Sequence, residues 1–160
     1  RDCLLSRGLG DVYKRQAMGC TIPLELDESF REVDYGPDEN KPEEEVIARI
    51  GQDALDKWNK DAIVPDGWKV DPQAIINNWL LWGEKAFKNF HNETILIVSS
   101  NGIIRFAPYL TGNFAEFTKE HDIKVGTGNV CIFEKEDTDK NWKCVEWNTK
   151  PKDYFKAKEA

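Results

Sequence analysis

The residues with chemical reach in this chain gather in two short stretches. The first is Thr94 to Arg105, T-I-L-I-V-S-S-N-G-I-I-R, where an apolar run stops at Ser99, Ser100, Asn101 and Gly102. A Ser hydroxyl, an Asn amide and the main-chain N–H groups of a helix start can all donate hydrogen bonds to an anion. Arg105, one helical turn further on, brings a full positive charge, placed either at the edge of such a pocket or in a surface ion pair. The second stretch is Phe30 to Gly36, F-R-E-V-D-Y-G, in which the carboxyl of Glu32 stands between Arg31 and Tyr35. Asn129, after Gly126, Thr127 and Gly128, is one more polar residue at the entry of an expected strand. The two histidines, His91 and His121, fall near the expected C-termini of helices, where imidazole is favoured by the helix dipole. Neither is in a strand-terminal turn, and neither is read as a nucleophile.

These groups must be positioned by an α/β frame. Ile95 to Val98 is unbroken, β-branched and aliphatic, and reads as a fully buried central strand that ends in a tight polar turn and a helix. In α/β sheets ligands bind beyond the carboxyl ends of strands, so Ser100, Asn101 and Gly102 lie where a site would form. Upstream, Thr21 to Asp27 alternates apolar and polar residues, a short edge strand or extended segment because Pro23 cannot donate to a ladder. Asn40 and Glu43 form a capping-box pattern opening one helix that carries Val46, Ile47, Ile50, Ala54, Leu55 and Trp58 on one face. Asp71 caps a second helix with Pro72 at its first position. Its buried stripe is Ile76, Trp79, Leu80, Gly83, Ala86, Phe87 and Phe90, and Gly83 marks a place where another backbone comes close. Pro108 shortens the helix that starts near Ile103. Asn113 with Glu116 opens a short helix to about Glu120. Val130 to Glu134 and Trp142 to Trp147 read as an antiparallel hairpin.

The two stretches together resemble the histidine phosphatase superfamily, the phosphoglycerate mutase-like proteins. In that family a buried strand ends in V-S-H-G-x-x-x-R, and counting back five residues from Arg105 puts Ser100 where the pocket His would stand, followed by Asn101 and Gly102. F-R-E-V-D-Y-G resembles the family's L-x-E-x-x-Y-G element, which makes Glu32 the counterpart of its acid/base carboxylate. The resemblance implies an incomplete three-layer α/β/α sandwich ending in a β-hairpin. It implies phosphoryl transfer through a phosphohistidine, with Glu32 catalytic and with Ser100, Asn101, Gly102, Arg105 and Asn129 lining the phosphate pocket. The family's opening strand ends in R-H-G, and no R-H-G occurs in these 160 residues. The chain is therefore expected to be the C-terminal part of a small-molecule phosphomonoesterase or phosphomutase, itself inactive by that mechanism. Two other readings stay open: a non-catalytic binder of phosphate or a metabolite, and an unrelated α/β interaction domain to which Trp68 and Trp147 would contribute.

Bulk properties narrow the partners. A 40% apolar fraction over 160 residues supports one domain with a real core, and a net charge of -7 argues against non-specific nucleic acid or anionic membrane binding. The expected partner is a small phosphorylated metabolite, without a cofactor or metal. No apolar run spans a bilayer and no leader pattern is present, so the expected location is cytoplasmic. Cys3, Cys20, Cys131 and Cys144 lie far apart and read as free thiols. Residues 1–16 carry a basic balance unlike the acidic remainder and end in G-D-V-Y-K-R-Q. They read as a non-native adaptor-like head or, second, a weakly ordered arm, leaving 17–153 as the domain and 154–160 as a tail.

Overall fold

The structure, a computed structural model, describes residues 25–153. The expected head, the segment through Leu24, Cys3, Cys20 and the tail 154–160 lie outside the described residues. Among the described residues five whole helices and one hairpin follow in order: α1 Glu43–Ile50, α2 Gln52–Asp61, α3 Pro72–Asn89, α4 Asn101–Ile104, α5 Phe114–Glu120, β1 Val130–Glu134 and β2 Lys143–Thr149. Of three short 3-10 segments, Glu28–Phe30 and Gly36–Asp38 precede α1 and Ala107–Thr111 lies between α4 and α5. Helix and strand are mixed, and the sheet formed by the described residues is the two-stranded antiparallel ladder β1–β2. No helix among the described residues is long and apolar enough to cross a membrane.

Local chemistry explains the elements that match expectation. Asp71 accepts from the Ala74 N–H at 3.0 Å, satisfying a free donor of the first turn of α3, and Pro72 follows it. Asn113 does the same for α5 through the Glu116 N–H at 3.3 Å. The hairpin pairs Phe133 with Cys144 and Glu134 with Lys143.

Several expectations are corrected. The helix through Trp58 is two helices, because Gly51 takes φ +82°, outside the helical region, and breaks the ladder between α1 and α2. Pro42 rather than Asn40 precedes α1, since Asn40 itself is left-handed at φ +60°. The largest correction concerns Ile95 to Val98, which forms no strand among the described residues: Ile95, Leu96 and Val98 are 40%, 69% and 65% exposed, and Ile97 alone of the four packs against the core. An apolar run becomes a buried central strand only when neighbours pair with it on both edges. Here β1 and β2 pair with each other.

The core lies between α3, the Phe30 turn and the α4-to-Leu110 segment. Phe30 meets Trp79 edge-on at 4.6 Å, and Trp79 donates its indole N–H to the Ile103 carbonyl at 3.0 Å. Such an aromatic pair contributes about 0.5–1.5 kcal/mol beyond its buried area. The inward face of α3 is Ile75, Trp79, Gly83 and Ala86, whereas Leu80 and Phe90, expected inside, are each 41% exposed. Gly83 does sit at a close approach, but to side chains: a Cβ there would lie 2.6 Å from Leu110 Cδ2 and 3.0 Å from Trp142 Nε1.

Candidate functional site

Glu32 enters the site from a short, well-anchored turn. Asp27 accepts from the Ser29 N–H at 2.9 Å and starts the 3-10 turn, which buries Phe30 and leaves Glu32 half-buried just beyond it. The Ser99 hydroxyl donates to the Phe30 carbonyl at 2.7 Å, stitching this turn to the end of the apolar run across 69 residues of sequence. The two stretches that the sequence marked as chemical therefore lie side by side.

A second meeting of the two stretches is at Gly102. A Cβ on that residue would come to 2.8 Å from Glu32 Oε1, 2.8 Å from Val33 Cγ2 and 3.0 Å from the Tyr35 hydroxyl. Only a residue without a side chain lets the carboxylate approach this turn. The Tyr35 hydroxyl donates to Glu32 Oε1 at 3.1 Å. Burial, and then the nearby Glu32 charge, raises the Tyr35 pKa, so the phenol stays a proton-bearing donor at neutral pH. Glu32 also lines an open cleft of about 330 Å³, together with Arg31, Asp34, Lys69, Asp71 and Ile103. Its two cations are already engaged: Lys69 lies 3.4 Å from Asp34, and Arg31 lies 3.6 Å from Glu28.

The other expected site residues are placed as follows. Ser100 precedes α4, its carbonyl accepting from the N–H groups of Ile103 and Ile104 at 3.1 and 2.8 Å. Its hydroxyl is buried and has no hydrogen-bond partner among the described residues. Asn101 is the first residue of α4 rather than its cap, and its side-chain oxygen accepts from the Val125 N–H at 2.8 Å. Asn129 donates to the Asn148 carbonyl at 3.0 Å and to its side-chain oxygen at 2.7 Å, a tie that fastens the loop before β1 to the end of β2. None of Ser100, Asn101, Gly102, Arg105 and Asn129 walls the cleft.

Arg105 is neither at an open pocket edge nor in a surface ion pair. It is 1% exposed, donates from Nε to the Asn101 carbonyl at 3.2 Å and from Nη1 to the Trp58 carbonyl at 2.6 Å, and lies 4.0 Å from the centre of the Trp58 ring. Burial pulls its pKa down to about 10, while the Tyr35 and Glu32 acids act in the opposite direction, so it is a cation at neutral pH whose field reaches the Glu32 carboxylate. Trp58 appeared in the sequence only as a helix-face apolar residue; its role as the platform and carbonyl acceptor for Arg105 had no sequence signal. His91 and His121 lie on exposed positions after α3 and as the residue ending α5, away from these groups in sequence and bonding.

The family model described as histidine phosphatase superfamily (branch 1) matches residues 14–150. The chain belongs to the histidine phosphatase superfamily. Compared with curated proteins, and with solved structures, it has no match.

Proposed function

We propose that this chain carries the acid/base half of a phosphate-monoester site, from a small-molecule phosphomonoesterase of the phosphohistidine type with an α/β/α layered fold, working in the cytoplasm on a small phosphorylated metabolite. The observation that carries the reading is the contact of the Glu32 carboxylate with the Gly102 turn. In this chemistry an imidazole nitrogen attacks phosphorus, the bond from phosphorus to the leaving oxygen breaks, and a carboxylic acid gives its proton to that oxygen. Glu32 is the proton donor, and Arg105 adds positive potential from behind it. The superfamily's His position is Ser100, and no R-H-G occurs in the sequence, so the attacking imidazole has no counterpart in either stretch. The chain as it stands is therefore inactive by this route.

Ser100 also favours a second reading, a non-catalytic binder of phosphate or a phosphorylated metabolite, because a buried hydroxyl without a partner is costly unless something accepts from it. Two measurements on the chain decide. Rapid-quench assay with 4-nitrophenyl phosphate is expected to give neither burst nor turnover, and a burst overturns the inactivity. Titration with inorganic phosphate, followed by amide NMR, is expected to shift the signals of 30–35 and 99–105. If those signals stay still at saturating phosphate, both readings of the site fail.

A further inference from the structure

A half-buried phenol bonded to a carboxylate can be there to satisfy the phenol or to hold the carboxylate. The surroundings of Tyr35 decide between these. Its ring meets Trp68 edge-on at 4.8 Å with planes 88° apart, and Trp68 in turn meets Trp58 at 5.3 Å. The Trp68 indole N–H donates at 2.7 Å to Asp38, which is only 6% exposed. Asp38 is also gripped through both carboxylate oxygens by Arg49, whose Nη2 donates to the Asp66 carbonyl at 2.9 Å. Every member of this chain of contacts is fixed from behind by the next. Glu32 is the exception: half-buried, beside an open cleft, with the Tyr35 hydroxyl its hydrogen-bond donor among the described residues.

From this asymmetry we infer that Tyr35 is the positioning residue of Glu32, and that the Asp38–Trp68 pair is the strut that holds Tyr35 in place. The inference rests on the proton-donor role proposed for Glu32. A long, flexible carboxylate next to solvent samples several rotamers, and one good hydrogen bond from a rigid donor selects among them. The selected rotamer is the one that lays Oε1 against Gly102. A proton donor held within a fraction of an ångström and a narrow angle delivers its proton more effectively than one that wanders.

The test uses the whole chain with labelled glutamate, the Glu32 signals assigned by E32Q. In the unchanged chain the Glu32 side-chain vicinal couplings are expected to show one staggered rotamer. In Y35F, which keeps the ring on Trp68, that pattern is expected to be lost to averaging, while the near-ultraviolet spectrum holds and unfolding stays cooperative. Y109F, which removes a hydroxyl elsewhere, is expected to leave Glu32 unchanged. W68F, which cuts the bond to Asp38, is expected to give partial averaging. Single-rotamer couplings that persist in Y35F overturn the inference. A second readout needs no variant at position 35: the Tyr35 hydroxyl proton should exchange with water about tenfold more slowly than in E32A. Equal rates overturn it as well. The phosphate titration is read separately: signals that ignore phosphate while Y35F still releases Glu32 sink the proposed site and leave the positioning intact, and the reverse pattern sinks the positioning alone.

Discussion

Gly102→Ala is the perturbation that most directly probes the meeting of the two stretches. Its added methyl group would sit 2.8 Å from Glu32 Oε1 and 2.8 Å from Val33 Cγ2, both closer than carbon tolerates, and 3.0 Å from the Tyr35 hydroxyl, a tight contact. The Glu32 end can swing into the cleft, but Val33 is 8% exposed and Tyr35 is wedged against Trp68, so the strain falls on packed groups. Overpacking of this kind costs about 1–3 kcal/mol. Displacing Glu32 gives up the Tyr35 hydrogen bond, about 0.5–1.5 kcal/mol more. Against this, Ala is a better helix residue than Gly by about 1 kcal/mol, and Gly102 lies inside α4 with no positive φ to relieve. The balance is a loss of about 2 kcal/mol, a fall in Tm of about 4–8 °C for a domain of this size. Urea unfolding followed by tryptophan fluorescence reads it, since Trp58, Trp68 and Trp79 lie in or against the core around this turn. In a Y35F background the same substitution should cost less, because one of its three close contacts is gone and the two sites are coupled. A G102A protein as stable as the parent would refute the reasoning: Glu32 and the turn would then not be in contact.

Three further outcomes follow from the packing. Arg105→Met keeps most of the volume over Trp58 but takes the charged donor from the Trp58 and Asn101 carbonyls, which keep the main-chain N–H groups of Ala62 and Arg105; urea unfolding should show a loss of about 2 kcal/mol, and a loss too small to measure would place Arg105 at the surface. Arg49 beside Asp38 holds that carboxyl below its ordinary pKa, so its contribution to stability is complete above the unfolded value near pH 4 and is lost as pH falls through the lower folded value; D38N should flatten the acid limb of the stability curve, and an unchanged limb counts against the pair. Leu96→Asp, at a position 69% exposed, should change stability by no more than about 0.5 kcal/mol by the same urea measurement, whereas a loss of several would show that the apolar run is buried as a central strand after all.

Much of the local structure was legible because it is set by neighbours in sequence. Asp71-Pro72 and Asn113 with Glu116 cap their helices through bonds that span three residues, and the hairpin turn between β1 and β2 is written in short-range residue preferences. The break at Gly51 was legible in kind but missed, because the apolar spacing on either side of it continues in phase. Glu32 and Gly102 stood out in the sequence as members of two motifs in order. Their contact was not, since it depends on the Ser99 to Phe30 bond across 69 residues.

By itself the sequence determined the superfamily, the Asp71 and Asn113 caps, the antiparallel hairpin and the residues with chemical potential, all of which depend on residue type and short spacing. Only the tertiary structure decided what those residues do with their bonding groups. It spent Asn101 on Val125, Asn129 on Asn148 and Arg105 on two main-chain carbonyls, and it left the Ser100 hydroxyl without a partner among the described residues. It also left Leu96 and Val98 in solvent, because a strand's burial is a property of its neighbours and not of its own composition.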